Sequence, residues 1–492
     1  MKTDAKVLFS NDLTNILHCD SPFHKRGDFR FTAGLLESSV AETAGTGVDV
    51  HLLQPAFGWF PLWKSKFLPI EKHVAWLRKT YGELPADTDV QKWVCELSRY
   101  QREDGDIVGE FIRNCRKYGQ QAFISMRMND SHHGAFSPCE FYHLHPEYRI
   151  NCKSNSWADR CHNWMIPEVR DFKYNLYRDL LENYAFDGFE LDFMRYGRLY
   201  DEYETTESER IAVTTEFVRK IRRISKDRLL CVRIPVDAES RSFLGIDPRR
   251  LAEIGVDMFN YSSYFYTSQE TDCGALKELT PDVPLYLEMT NCSGIGRAAE
   301  KTEGDSYEMF NCTPSELRTT ALCAYEAGWQ GVSLFNFVYY RRFGSDKKKT
   351  AVSEPPFDVI RDLRDPERLR KSDKTYFFAS RWEPAVLPQA IAVYGQNVKF
   401  TFPNVSPDEN AVWELEFTVE TSGTDCGDWE TWFNGQTLSK PEIRGKLFRW
   451  QVPASMIRKG SNCVKIRSCD LGISTIMKIK LCAQIAKGKK LS

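Results

Sequence analysis

Eight short apolar segments alternate with longer amphipathic segments over the first 345 residues or so. The apolar segments are VLFS (7–10), VDVHLLQP (48–55), QAFISMRMND (121–130), FDGFELDFMR (186–195), LLCVRIPVD (229–237), VDMFNYSSY (256–264), VPLYLEM (283–289) and GVSLFNF (331–337). Strands that alternate with helices predict a parallel sheet with crossover helices. Eight such units predict an α/β fold, the (β/α)8 TIM barrel with long loops after the strands. An open doubly wound sheet is the alternative, although no G-x-G-x-x-G turn follows the first segment.

The pattern changes after about residue 350, where apolar and polar residues alternate with a period of two. The alternating segments are NVKFTF, AVWELEFTVET, WETWFNGQTL, LFRWQVP, NCVKIRS and IMKIKLCAQI. This period is typical of strands with one buried face, and turn dipeptides such as Asn434-Gly435 separate them. The sequence therefore predicts a barrel at 1–350, a connecting arm at 351–375 and an all-β sandwich at 376–492.

The charge balance and the absence of long apolar runs limit the partners that we expect. The net charge is -2 at pH 7, which argues against binding of nucleic acid. No apolar run approaches the ~18 residues that a membrane helix needs. The start, MKTDAKVLFSNDLTN, lacks the basic and apolar regions of a signal peptide. We expect a cytoplasmic protein without membrane contact, or a periplasmic or secreted one if the chain is a trimmed mature form. The oligomeric state is left open.

The fourth apolar segment carries acids that an ordinary core strand would exclude. Side chains alternate between the two faces of a strand, so Glu190 and Asp192 share one face, while Phe189, Leu191 and Phe193 share the other. The apolar face suits the helices that surround a barrel. The two acids then point inward near the carboxyl end of the strand, where barrel active sites lie. We expect a solvated mouth there, at which the cost of burying charge largely disappears.

Polar side chains recur at the ends of the other predicted strands, and the seventh strand adds a third acid, Glu288. We predict that these residues line a substrate cleft: Trp59, Arg127, Asn129, His132, His133, Arg195, Arg233, Tyr264, Asn291 and Asn336. Trp59 is a candidate platform for stacking a sugar ring. The alternative is that it anchors a long loop.

Paired carboxyl groups across a sugar-sized cleft are the groups that glycoside hydrolysis requires. We predict Asp192 as the acid or acid/base and Glu288 as the opposed carboxylate. Glu190 would position the substrate or change the pKa of Asp192 through like-charge repulsion. The alternative is that Glu190 forms an inner salt bridge with Arg127 or Arg233.

A family resemblance adds to this interpretation. The segments NDLTNILHCDSPFH, MRMNDSHH and above all FDGFELDFMR resemble the glycoside hydrolase family 10-like barrel proteins of bacterial polysaccharide degraders. The resemblance covers roughly residues 5–345 and implies a (β/α)8 glycosidase. WFNGQTL and FRWQVPASMIRKGSNCVKIR resemble the jelly-roll domains appended to glycosidases, which bind glycan or brace the barrel. Family-18 chitinases place a catalytic Glu where Met194 stands here, so their mechanism is not expected.

Several alternatives remain open at this point. The arginines of the mouth suit an acidic glycan, either uronate-bearing or sulfated, or they neutralise the neighbouring acids. All nine histidines lie between His18 and His162, but none has the H-E-x-x-H spacing of a metal site. We therefore expect no metal and no organic cofactor. The rival functions are a non-catalytic glycan-binding barrel and a metal-dependent carbohydrate deacetylase that uses the histidines.

Overall fold

The computed structural model describes residues 3–13, 16, 30–57, 59–82, 89–130, 139–150, 161–194, 198–295, 309–338, 355–380, 386–422, 428–469 and 472–485. The chain divides into two compact units. The first comprises residues 1–264, 279–288 and 333–355, and the second comprises residues 265–278, 289–332 and 356–492. The predicted domain boundaries at 350 and 375 stay a prediction.

Eight parallel strands close into a barrel, as the sequence predicts. The strands are β1 (Val7–Asp12), β2 (Val50–Gln54), β3 (Gln121–Arg127), β4 (Gly188–Asp192), β5 (Leu229–Pro235), β6 (Met258–Ser262), β7 (Leu285–Met289) and β8 (Gly331–Phe335). Each strand pairs with its neighbours in sequence, and β8 closes on β1. All eight predicted segments are strands, and the alternative of an open sheet is wrong.

In chain order, helices lie between the barrel strands and between the last barrel strand and the C-terminal strands. Their bounds are α1 (Ala33–Ala41), α2 (Ile70–Tyr81), α3 (Asp89–Arg102), α4 (Ile107–Lys117), α5 (Glu140–Leu144), α6 (Pro167–Asn183), α7 (Glu207–Ser225), α8 (Ala238–Phe243), α9 (Pro248–Glu253), α10 (Cys273–Leu279), α11 (Pro314–Glu326), α12 (Phe357–Leu363) and α13 (Pro366–Arg370). The helix α7 begins with a capping box, in which the side chains of Thr206 and Glu209 bind each other's backbone N–H groups. Of the helices described, none is both long and apolar enough to cross a bilayer.

The lumen of the barrel is apolar at its amino-terminal end and polar at its carboxyl end. The apolar part is a cluster of buried side chains: Ala5, Leu8, Val50, Leu52, Phe123, Leu229, Cys231, Met258 and Tyr286. The hydroxyl of Tyr286 donates to the carbonyl oxygen of Ala5 at 2.8 Å, which satisfies the one strongly polar atom of this floor. The polar side chains at the carboxyl end of the lumen therefore lie above a buried apolar floor that excludes water.

Gly188, the first residue of β4, packs against this floor because it has no side chain. A Cβ atom at position 188 would overlap the ring of Phe123, which lies on the neighbouring strand β3. The glycine of FDGFELDFMR is therefore required by packing, because the aromatic ring occupies the volume that a side chain would need.

We expect Gly188→Ala to lower the free energy of unfolding by about 1–3 kcal/mol, because an overpacked core side chain must displace its neighbours. Urea unfolding measures the change. The double variant G188A/F123L should regain part of the loss, since the smaller side chain makes room. Gly34→Ala in α1 is the control, where the new Cβ would lie 3.9 Å from Oγ1 of Thr32. Equal stabilities of G188A and G34A would contradict this packing argument.

The C-terminal strands form two antiparallel sheets, which confirms the predicted β-sandwich. The strands are β9 (Lys374–Phe377), β10 (Gln389–Ile391), β11 (Asn397–Val405), β12 (Ala411–Ser422), β13 (Trp429–Phe433), β14 (Gln436–Thr437), β15 (Glu442–Arg444), β16 (Leu447–Val452), β17 (Gly460–Ser468) and β18 (Ile473–Ile485). One sheet has the order β9-β18-β12-β16-β15, with β10 also paired to β18, and the other has the order β11-β17-β13-β14. Aromatic side chains fill the space between them, for example Phe400 and Phe417 with ring centroids 6.1 Å apart. Its jelly-roll form stays a prediction.

Candidate active site

The acids of β4 point into the barrel, as the alternation of side chains predicts. Glu190 accepts a hydrogen bond from Nδ2 of Asn260 on β6, two strands away, at 3.2 Å. Asn260 in turn donates to Oγ of Ser333 on β8 at 3.2 Å. Contacts between strands that are not neighbours in the sheet have to pass through the lumen. The even-numbered face of β4 is therefore the interior face.

Arg233 of β5 joins Asp192 of β4 to Glu288 of β7. Its Nη1 donates to Oδ1 of Asp192 at 2.8 Å, while its Nε and Nη2 donate to the two carboxylate oxygens of Glu288 at 2.5 and 2.7 Å. Ser262 of β6 donates to Glu288 at 2.5 Å, and the ring of Phe335 lies 3.9 Å below the guanidinium carbon. One planar fork thus orients both carboxyl groups, in the geometry that favours arginine over lysine.

This shared partner fixes how far apart the two acids can be. The guanidinium nitrogens are separated by little more than 2 Å, so the bonded oxygens of Asp192 and Glu288 lie within about 8 Å of each other. That span is no longer than one sugar ring with its glycosidic oxygen. The distance therefore permits either stereochemical class of glycoside hydrolysis.

The expectation of a solvated mouth is wrong for these side chains. Asp192 and Glu288 are each 2% exposed, and Glu190 is fully buried. Burial of a charge is offset here by ion pairing and hydrogen bonds, because a fully paired carboxylate recovers much of the solvation that it loses. Burial raises the pKa of Glu288, and the positive charge of Arg233 opposes that rise.

Glu190 has neutral hydrogen-bond partners. Its oxygens accept from the hydroxyl of Ser125 at 2.7 Å, from Asn260 and from the thiol of Cys231. The alternative of a salt bridge between Glu190 and Arg127 or Arg233 is wrong, since these arginines bind other carboxylates. Burial raises the pKa of Glu190 to about 7, and the negative charge of Asp192 adds to the rise. Near neutral pH this carboxyl group therefore exchanges a proton inside the barrel.

The raised pKa of Glu190 predicts how stability depends on pH. Between 4.5 and about 7 the unfolded chain ionises this group while the folded state keeps its proton. The contribution of the protonated group to stability is complete below pH 4.5 and is lost as the pH rises through about 7. We expect Glu190→Gln, which cannot ionise, to gain roughly 1–3 kcal/mol relative to wild type between pH 5 and pH 8.

Urea unfolding at several pH values measures this difference. Glu204→Gln, at an exposed position, is the control and should follow the wild-type curve. A difference between E190Q and wild type that does not change with pH would contradict the assignment of this titration to Glu190.

A second buried cluster forms around Arg127 of β3. Its Nη2 donates to Asp12 of β1 at 2.7 Å, and its Nη1 donates to Asp130 at 2.6 Å. Nδ2 of Asn336, which follows β8, donates to the other oxygen of Asp12 at 3.3 Å. Arg127 ends β3 and Asn336 follows β8, and both bind Asp12, while their role in substrate binding stays a prediction.

The three predicted catalytic acids differ in their free hydrogen-bonding capacity. Both oxygens of Glu190 and both oxygens of Glu288 accept hydrogen bonds from neighbouring side chains. Asp192 accepts two bonds on Oδ1, from Arg233 and from the backbone N–H of Met194. Within the described part of the chain, nothing donates to Oδ2 of Asp192. This oxygen is the one that a substrate can reach without breaking an existing bond.

Other predicted lining residues have structural contacts. Nδ2 of Asn129 donates to the carbonyl oxygens of His162 at 3.0 Å and Arg198 at 2.5 Å, so it connects two loops. The backbone N–H of Tyr264 donates to Oγ of Ser262 at 3.0 Å, and its φ is 72°. Asn291 belongs to the second compact unit and is buried. His132, His133 and Arg195 lie outside the described residues.

Trp59 is fully buried and offers no ring face to a sugar in this structure. Its ring centroid lies 4.0 Å from that of His162, and Nζ of Lys173 lies 4.4 Å from the ring. The sugar-platform interpretation is therefore corrected to the alternative, a loop anchor, because the indole is buried against neighbouring side chains.

Three residues near the site were not predicted from the sequence: Ser125, Phe335 and Lys173. The first could have been found, because Ser125 and Arg127 share one face of β3. Phe335 reads as an ordinary core residue, and Lys173 reads as a helix surface residue. Burial lowers the pKa of Lys173 to about 7. In the residues that the structure covers, no group of three or more His, Cys, Asp or Glu side chains could hold a metal ion.

Comparisons with known proteins give similar folds only. No protein-family model and no curated protein matches the sequence. A catalytic domain of a Group II chitinase from Ostrinia furnacalis is 10% identical, with 74% of this chain and 97% of that chain covered and a TM-score of 0.41. A chitinase from Bacillus thuringiensis is 10% identical, with 95% and 98% covered and a TM-score of 0.41. The PgaB glycoside hydrolase domain from Bordetella bronchiseptica is 10% identical, with 75% and 98% covered and a TM-score of 0.41. Identities and TM-scores this low carry no argument about activity.

Proposed function

We propose that the protein is a glycoside hydrolase whose active site lies at the carboxyl end of the barrel. The observation that carries the proposal is the placement of Asp192 and Glu288 on either side of one guanidinium, within a sugar's length of each other. Two carboxyl groups at this separation, in a buried and preorganised setting, are the groups that hydrolysis of a glycosidic bond uses.

Asp192 acts as the acid or acid/base in this proposal. Its Oδ2 is free to donate a proton to the leaving glycosidic oxygen, while Oδ1 stays fixed by Arg233 and the N–H of Met194. A carboxyl group that is anchored through one oxygen and open through the other keeps its orientation during proton transfer. As this proton bonds to the glycosidic oxygen, the bond from that oxygen to the anomeric carbon breaks, and the leaving sugar departs with a hydroxyl group. Water supplies the new hydroxyl of the anomeric carbon and returns a proton to the carboxyl pair, either directly or after Glu288 has bonded to that carbon.

Glu288 is the opposed carboxylate. Its contacts with Arg233, Ser262 and Asn260 favour the ionised form, which can stabilise positive charge at the anomeric carbon. Action as a nucleophile, or as the base for a water molecule, requires Arg233 to release one oxygen of Glu288. Glu190 lies deeper in the barrel, and the negative charge of Asp192 adds to the rise of the pKa of Glu190.

A non-catalytic glycan-binding barrel is the second candidate. One observation favours it: Arg233 neutralises both acids at once, and a buried ion triad can be purely structural. The fold alone does not separate the two functions, because a barrel that has lost its chemistry keeps its cleft.

Incubation of the wild-type protein with a panel of neutral, amino and acidic oligosaccharides tests the proposal. Released reducing ends report hydrolysis, and ligand-observed NMR on the same panel reports binding. We expect at least one oligosaccharide to be cleaved. Binding without cleavage of every bound member would support the glycan-binding barrel and overturn the hydrolase.

A further inference from the structure

The carboxyl ends of the strands form a ring of side chains around the mouth of the barrel. Members of this ring are Asp12 on β1, Gln54 on β2, Arg127 on β3, Asp192 on β4, Arg233 on β5, Ser262 on β6, Glu288 on β7 and Asn336 after β8. Neighbouring strands are in register here, so that Arg127 pairs with Asp192 and Asp192 pairs with Arg233. Residues from opposite sides of the barrel thus face one small space.

Carboxyl groups outnumber cations in this ring and just below it. The described acids are Asp12, Asp130, Asp192, Glu190 and Glu288, and all of them are buried. Against them stand the guanidinium groups of Arg127 and Arg233, with the amine of Lys173 nearby. Asp12 and Asp130 have further interactions, but Asp192 and Glu288 share the single guanidinium group of Arg233. Even with Glu190 protonated, these acids and Arg233 leave a negative excess, which favours a cation over an anion beside Asp192.

The terminal nitrogens of both guanidinium groups already bind carboxylates. Arg127 binds Asp12 and Asp130 through its two terminal nitrogens, and Arg233 binds Asp192 and Glu288 through all three of its nitrogens. A uronate or a sulfate that binds a guanidinium group through two nitrogens would have to displace one of these carboxylates, which would then be left buried without its partner. The observed contacts therefore agree with the alternative that the arginines neutralise the neighbouring acids, and not with recognition of an acidic glycan.

The open hydrogen-bonding positions of the ring are mainly acceptors. Oδ2 of Asp192 receives no bond from any described residue, and Oδ1 of Asn336 is buried and has no partner in the described chain. Asn336 is 3% exposed and donates through Nδ2 to Asp12, so its Oδ1 faces away from that carboxylate. One donor, Nε of Arg127, also lacks a partner among these residues. A ligand that satisfies the ring must chiefly donate hydrogen bonds.

We infer that the sugar bound at this ring carries a free, protonated amino group. An ammonium group brings three donors and one positive charge, which matches both the open acceptors and the carboxylate excess. N-acetylation removes the charge and two of the donors, a hydroxyl group offers a single donor, and a carboxylate offers none. The inference rests on the proposed function, because it names the substrate class of that same site.

The test compares sugars that differ in one substituent. An array presents gluco- and galacto-configured oligosaccharides in several linkages, each with a hydroxyl, an amine or an acetamide at carbon 2, together with uronate counterparts. Dissociation constants are measured with wild-type protein by biolayer interferometry, which does not depend on hydrolysis. We expect the amine forms to bind at least about tenfold more tightly than their hydroxyl and acetamide counterparts, and the preference to shrink as salt is added.

Two variants test whether the ring is responsible for the tighter binding of amine-bearing sugars. Asp192→Asn should lose most of the preference for the amine, whereas Asp187→Asn, at the exposed residue just before β4, should keep it. Equal or tighter binding of the hydroxyl, acetamide or uronate forms would overturn the inference, as would binding of none. Tighter binding of the amine forms without cleavage of any sugar would support this inference and contradict the proposal that the protein is a hydrolase. Cleavage of sugars without tighter binding of the amine forms would support the hydrolase and contradict this inference.

Discussion

Replacing Arg233 by methionine is expected to lower the free energy of unfolding by about 3–5 kcal/mol, because removal of one partner strands a buried charge. Arg233 is the direct cation partner of both Asp192 and Glu288, whose side chains are 3% and 1% exposed. A methionine fills a similar volume, so the loss reports charge and hydrogen bonding more than packing. Urea or thermal unfolding at neutral pH measures it.

Arg219→Met on α7 is the matched control. Arg219 pairs with Glu216 one helical turn away, and their side chains are 40% and 47% exposed. Exposed pairs of this kind contribute about 0–1 kcal/mol. The double variant R233M/E288Q should be more stable than R233M, since it removes one of the two stranded charges. A cost for R233M no larger than that for R219M would contradict the account of the ion triad.

Replacing Asp192 by asparagine is expected to lower kcat by about 10²–10⁴, the usual contribution of a general acid or base. An amide keeps the shape of the side chain and can still accept bonds from Arg233 and the N–H of Met194 through one oxygen. It cannot transfer the proton. Initial rates on the best cleaved member of the oligosaccharide panel, as a function of concentration, separate kcat from KM.

Asp187→Asn, at the residue just before β4, is the control for an aspartate-to-asparagine change near this strand. Asp187 is exposed, and its carboxylate accepts the N–H of Ala122 at 2.8 Å, a bond that asparagine can also accept. We expect D187N to retain at least about half of the wild-type kcat, since surface substitutions usually change little. Comparable rates for D192N and wild type would exclude Asp192 as the acid.

The sequence allowed the barrel and its interior faces to be predicted. Eight apolar segments with intervening helices leave few topologies, and a period of two assigns Glu190 and Asp192 to one face of β4. The recurrence of polar residues at the ends of the other strands placed Glu288 and Arg233 at the same mouth. These predictions depend on local periodicity, which the sequence carries directly.

The pairing of charges could not be predicted, because it depends on distances across the lumen. Alternation says that Arg127, Arg233 and the three acids share the interior, but not that Arg233 bridges Asp192 and Glu288 while Glu190 binds Ser125 and Asn260. Those contacts follow from the closure of the barrel, which sets how far each strand is displaced along its neighbour. The depth of burial was missed for the same reason, and so was the enclosure of Trp59.

A crystal structure of D192N with an uncleaved oligosaccharide shows whether the glycosidic bond lies between position 192 and Glu288. We expect the glycosidic oxygen to lie within about 3.2 Å of the side-chain amide at position 192, the reach of a hydrogen bond. Glu288 should lie on the opposite side of the anomeric carbon. A sugar bound away from the carboxyl end of the barrel, or one whose glycosidic bond contacts neither position 192 nor Glu288, would contradict this expectation.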